Sequence, residues 1–250
     1  YLFLLTGGSF ILASCNDFLD REPLDSVTPD NFFFTENDLA AYAVKHYNFT
    51  THEGFNAGIW RNDNATDNQA ATDYDKKWIP GQWKVPEAYD NPASNDPWYF
   101  SAIREANYFL ETVVPRFEKG EIEGSETNIK HYIGEMYFLR AKNYLSKLET
   151  FGDFPIIKNT LPDESASLIQ ASKREPRHKV ARFILEDLDL AIGLLTNTIS
   201  GGKNRITQNA ALLLKSRAAL YEASWLTYHK GTALVPGGPG WPGKAEDIAD

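Results

Sequence analysis

Sulfur, positive charge and long apolar segments are all scarce in this chain of 250 residues. Its single cysteine, Cys15, rules out an intramolecular disulfide, so the fold must be held by a packed core rather than a covalent framework. Lys and Arg number 25 against 34 acidic residues, a formal net charge of -9. Such a surface does not attract nucleic acid or anionic lipid, which leaves an uncharged or weakly charged ligand as the easier partner. The apolar run YLFLLTGGSFILAS, residues 1–14, is too short to span a bilayer.

The motifs of familiar chemistry are missing too. His46, His52, His131, His178 and His229 form no HExxH and have no CxxC partner, so no zinc site is expected. There is no P-loop, no GxGxxG and no GxSxG nucleophile elbow. The glycines of 236–243 alternate with prolines, which lack the amide donors a phosphate cradle needs, so this stretch reads as a turn-rich linker. The acids around Asp63, Asp67, Asp73 and Asp75 do not follow the spacing of an EF-hand loop and read as a solvated acidic loop. Neither cofactor nor metal is expected.

What is present begins with the setting of Cys15. A short apolar run closed by small residues is the pattern of a secretory signal peptide, and Leu12-Ala13-Ser14-Cys15 matches the lipobox of bacterial lipoproteins. On this reading residues 1–14 are a leader and Cys15 becomes the first mature residue, carrying lipid. Several acyl chains on one cysteine, at about 0.8 kcal/mol per buried methylene, make a stable membrane attachment. Residues 15–34, with Pro23 and Pro29 blocking helix, form a tether. Without an initiator Met or basic n-region, and stopping just after a helix-like restart at Lys244, the chain reads as a fragment trimmed at both ends.

Helical signals dominate residues 35–250. Thr35 with Asp38 three positions on predicts a capping box and a helix of about twelve residues ending near Tyr47. Apolar residues at three- and four-residue steps predict further helices over Ile103–Val114, Ile129–Leu148, Val180–Leu195 and Ala211–Trp225, the second ended by Gly152 and Pro155. Arg140-Ala141-Lys142-Asn143-Tyr144 recurs as Arg217-Ala218-Ala219-Leu220-Tyr221, each with a small residue three positions before an aromatic. Such pairing suits antiparallel helices in tetratricopeptide arrays. The offset exceeds two plain repeats of 34 residues, which predicts an insertion near Phe154–Pro176. Glu135 and Arg140, on a largely apolar helix, read as a structural polar network. The fold class is all-α, built of helix pairs.

Between about Thr50 and Asp96 the periodicity lapses, and Trp60, Asp67, Asn68, Tyr74, Trp78, Trp83 and Tyr89 appear in loop-like sequence, with Trp98 and Tyr99 at its end. Flat rings offer area to the C–H face of a sugar while Asn and Asp bond its hydroxyls. Trp60, Asp67, Asn68, Tyr74, Trp78, Trp83 and Trp98 are therefore the candidate ligand-binding residues. The alternative is that the rings pin a long loop to the helices as a satellite core.

Several segments, taken in order, resemble the SusD/RagB family of outer-membrane nutrient-binding lipoproteins. They are Cys15-Asn16-Asp17-Phe18-Leu19-Asp20, PDNFFFTENDL from Pro29 to Leu39, Ile103-Arg104-Glu105-Ala106-Asn107, Gly134-Glu135 through Phe138-Leu139-Arg140-Ala141, Phe151-Gly152-Asp153-Phe154-Pro155, Pro176-Arg177 with Ile184 to Leu188, and Ala210 to Trp225. The resemblance implies a tetratricopeptide-like helical superhelix, lipid-anchored at the outer membrane and facing the cell exterior. It implies a lid on a SusC-like TonB-dependent transporter that captures oligosaccharides, or in some branches peptides, without catalysis. Family members run to about twice this length, so a second half that completes the ligand face is expected beyond this chain. Two other functions compete: a helical scaffold lipoprotein for a peptide or protein, and a glycoside hydrolase using carboxylates such as Asp63 and Asp67.

Overall fold

A computed structural model describes residues 32–49, 79, 97–198 and 204–244. The chain divides into two units after Phe32, and the described helices belong to the second, Phe33–Asp250. It is helical: α1 (Glu36–Lys45), α2 (Ser101–Lys119), α3 (Glu126–Phe151), α4 (Ser165–Ala171), α5 (Arg177–Leu194) and α6 (Gln208–Tyr228). Among the described residues there is no strand, and two isolated bridges pair Thr35 with Glu123 and Phe154 with Glu175. No helix among them is long and apolar enough to cross a membrane.

The predicted capping box opens α1. Thr35 Oγ1 accepts from the Asp38 amide at 3.3 Å, and Asp38 Oδ2 accepts from the Thr35 amide at 2.9 Å. The helix stops at Lys45, two residues before Tyr47. Tyr47 is drawn elsewhere: its hydroxyl accepts from the Ile206 amide at 3.0 Å and the Arg205 guanidinium lies over its ring. Glu36, in the first turn of α1, also caps α3. Its Oε2 accepts from the Ser125 amide at 2.7 Å and from Asn128 Nδ2 at 3.2 Å, placing a negative charge at the positive end of that helix. Gly124 makes the approach possible, since a Cβ there would fall 2.7 Å from the Glu36 side chain and its φ of 133° is one that other residues avoid.

α3 is the centre of the unit. It packs against α1, α2 and α5 and touches α6. That explains why its buried residues, among them Ile129, Ile133, Met136, Tyr144 and Leu148, extend around the helix instead of forming one stripe. Each fully buried Leu, Ile or Phe here contributes about 1.5–3 kcal/mol through lost contact with water. At Gly134 the α5 end comes close, with Leu195 carbons 3.0 Å from where a Cβ would sit.

Polar cross-links fix the register of the pairs. The Arg140 guanidinium gives two hydrogen bonds to the Asp187 carboxylate at 2.7 and 2.8 Å and one to Asn107 Oδ1 at 2.8 Å, tying α3 to α5 and α2. Glu135 receives two from Arg205, at 2.8 and 2.5 Å. Arg177 and Glu222 join α5 to α6. Burial pushes the Asp187 carboxyl above the usual carboxylate range, with Arg140 opposing the shift. The predicted polar network at Glu135 and Arg140 is present, with partners drawn from distant parts of the chain.

The predicted insertion runs from Gly152 to Pro176 and holds the seven-residue α4, which no periodic stripe announces. Amide bonds of 3.1 Å in both directions between Phe154 and Glu175 close its base. The glycine- and proline-rich stretch after α6 does form turns, with amides of Thr232, Val235, Gly238 and Trp241 each bonding to a carbonyl three residues back. It also folds back, burying Val235 and bringing Trp241 to 6.3 Å from His178 on α5.

Candidate ligand-binding site

An open polar cleft of about 460 Å³ lies along the first turns of α2 and the C-terminal half of α3, lined by Asn48, Pro97, Tyr99, Glu105, Asn143 and Lys147 among others. Two of these segments are the ends of the aromatic-rich stretch: Asn48 precedes it and Pro97 and Tyr99 follow it. Both ends are held by ammonium groups of α3. Lys142 Nζ donates to the Asn48 carbonyl at 2.7 Å, and Lys147 Nζ donates to the carbonyls of Pro97 and, at 3.1 Å, Tyr99. Burial lowers the Lys142 pKa below its ordinary value.

Of the candidates from sequence, Cys15, Trp60, Asp67, Asn68, Tyr74, Trp78 and Trp83 lie outside the described residues, as do Asp63 and the acids around it. Trp98 lies inside and is half-buried. Its ring sits 4.1 Å from that of Phe151 and 5.9 Å from that of Phe154, with the Arg174 guanidinium 4.9 Å from its centre. Phe100 stacks on Phe154 at 5.1 Å with the rings nearly parallel. Trp98 is thus the edge of an aromatic stack just before the start of α2.

The opposite rim is organised by α1. His46 Nδ1 lies 3.2 Å from a Glu105 carboxylate oxygen, and the Tyr42 hydroxyl donates to the Glu105 carbonyl at 3.1 Å. Burial depresses the His46 pKa, while Glu105 acts in the other direction. Burial likewise raises the Tyr42 hydroxyl. Sequence reasoning missed Glu105, Asn143 and Lys147. The available signal was weak: Lys142 and Lys147 are two among several charged residues of this helix, and their carbonyl partners leave no trace in side-chain identity. Chemically the cleft offers amide, carboxylate, ammonium and hydroxyl groups beside an aromatic stack, a mixture suited to neutral polar ligands. Among the described residues no group of three or more His, Cys, Asp or Glu is placed to hold a metal ion.

Comparison with known proteins agrees with this architecture. A curated relative, the SusD-like protein P2 of Formosa agariphila, is 26% identical over 219 residues, covering 85% of this chain and 40% of its own length. A crystal structure of a SusD-like protein from Bacteroides fragilis superposes with a TM-score of 0.59 at 25% identity, covering 82% of this chain and 38% of that one. A SusD-like carbohydrate-binding protein from the same species shares the fold at 18% identity, with a TM-score of 0.55 and coverage of 80% and 40%. The chain therefore spans about two fifths of the length of these relatives. Residues 17–220 match the family model SusD-like_3, described as starch-binding and associating with the outer membrane, and the chain belongs to the SusD-like family.

Proposed function

We propose that this chain is part of a surface lipoprotein that binds oligosaccharide and passes it to a TonB-dependent transporter of the outer membrane. The observation that carries the reading is the family match over residues 17–220, whose description names both starch binding and the outer membrane. The cleft supports it: two lysines of one rigid helix hold both ends of the Trp- and Tyr-rich stretch beside polar groups able to bond sugar hydroxyls. Lipid on Cys15 supplies the membrane attachment in this reading, with the helical unit facing the exterior. The protein binds without turnover.

Affinity electrophoresis of the full-length protein through gels containing soluble starch, other glucans and unrelated polysaccharides tests the first step. Retardation by at least one glycan is expected, and replacing Trp60, Trp78 and Trp83 together by Ala abolishes it, since each ring–sugar contact is expected to contribute on the order of 1 kcal/mol. Accumulation of reducing ends during incubation overturns binding without turnover. Fractionation of cells carrying Cys15→Ser tests the anchor: the protein leaves the membrane fraction if lipid on that thiol holds it. Co-purification of a barrel transporter with the native lipoprotein tests the partner.

A further inference from the structure

We propose that the cavity between α2 and the 152–176 insertion is a second ligand pocket, for a compact apolar carboxylate. This site is separate from the polar cleft and does not depend on the glycan reading.

Its walls are Phe100, the N-cap of α2, and Ile103 within that helix, Pro155, Ile157 and Leu161 of the insertion, and Leu168 of α4. The volume is about 270 Å³. An engineered apolar cavity of about 150 Å³ takes benzene, so this one accommodates a substituted ring or a large aliphatic group. The polar groups of its floor are already occupied within the protein. Asn107 Nδ2 donates to the carbonyls of Ile157 and Asn159 at 2.8 and 3.3 Å, and its Oδ1 accepts from Arg140. The amide and carbonyl of Ile157 are taken by the Tyr144 hydroxyl behind the wall, and Ser172 Oγ donates to the Leu168 carbonyl. A sugar seated on this floor would leave most of its hydroxyls without partners, which is costly.

Three polar residues on the wall are exposed, Arg104, Asn159 and Ser172, and the Ser172 hydroxyl is already bonded to Leu168. Arg104 forms no side-chain hydrogen bond or ion pair with any described residue, so a full positive charge stands beside an apolar hollow. A carboxylate on an apolar body satisfies both features, with a charge-assisted bond to the guanidinium and the body in the pocket. The cover is suited to respond. α4 has no buried residue and packs on no other helix, and its Leu168 is 40% exposed. An occupant gives that side chain a surface to bury against.

The chemistry has two sources, a free organic acid or the C-terminus of a peptide ending in a large apolar residue. The test titrates the full-length protein with 3-phenylpropionate, with N-acetyl-glycyl-phenylalanine and with neutral 3-phenylpropanol, followed by NMR. Both acids are expected to bind, the alcohol at least tenfold more weakly, and hydrogen exchange in α4 to slow when acid is present. Stronger binding of the peptide points to a chain terminus, and stronger binding of 3-phenylpropionate to a free acid. Arg104→Gln, at an exposed position, should reduce acid binding to the level of the alcohol. Leu168→Trp, on the exposed helix, should fill the pocket and remove binding of all three probes while leaving retardation by glycan gels unchanged. No binding of either acid, equal binding of acid and alcohol, or unaltered acid binding in either variant overturns the proposal.

Discussion

Helices α3 and α6 carry the same local pattern and occupy opposite situations. In α3, Arg140, Ala141 and Tyr144 are all buried, and the arginine joins three helices. In α6, Ala218 is buried at the equivalent place, but Tyr221 is half-buried and Arg217 is exposed. The small residue sets the helix approach in both, and the number of neighbours decides the rest. α6 is apolar on more than one side: Ala211 and Ala218 face the core, while Leu213 and Leu220 are 73% and 68% exposed. The pattern of a repeat thus specifies how a pair packs and says little about what surrounds it.

The sharpest way to test this contrast is the arginine pair. Arg140→Ala leaves Asp187 buried without its partner and is expected to cost about 3–5 kcal/mol in urea unfolding, whereas Arg217→Ala is expected to change stability by less than about 0.5 kcal/mol. Equal effects would remove the distinction between the two helices. Next in size is Tyr144→Phe. Its hydroxyl, whose pKa burial pushes up to about 12, bridges the Ile157 amide at 2.8 Å and carbonyl at 3.2 Å, and losing it should cost about 1–3 kcal/mol with little change in helix content by circular dichroism.

A smaller effect concerns pH at the α1 end of the same core. His46 faces Glu105, Tyr42 and Lys45. Because its folded pKa is depressed by burial, the unfolded chain takes up the proton first as pH falls below the ordinary histidine value. The stability present above that value is then lost towards the depressed folded pKa. His46→Gln should flatten this part of the stability profile, and an unchanged slope would assign it to other groups. Smallest of all, Leu213→Lys with Leu220→Lys is expected to shift the unfolding midpoint of the 250-residue chain by less than about 0.5 kcal/mol equivalent.

Much of the helical layout was legible because period and caps are local signals. The stripe from Val180 to Leu195 became a helix over 177–194, and Thr35 with Asp38 formed the expected box. α4 escaped because SASLIQA is short and buries nothing, so no stripe is needed to hold it. Glu135 and Arg140 announced a polar network on an apolar helix, but their partners Arg205 and Asp187 lie 70 and 47 positions away, beyond any local pattern. The cleft was least legible of all. It is assembled from three separated segments, and two of its fastenings join lysines to backbone carbonyls that every residue possesses. The aromatic candidates from Trp60 to Trp83 fall outside the described residues, and their role rests with the glycan experiments.

The fastening of residues 48 and 97–99 to a single helix has an evolutionary corollary. Both attachment points sit on one rigid rod, five positions apart at Lys142 and Lys147, and neither requires a particular side chain at its carbonyl end. Substitutions at positions 48, 97 and 99 therefore leave these fastenings in place, because a carbonyl acceptor is present whatever the side chain.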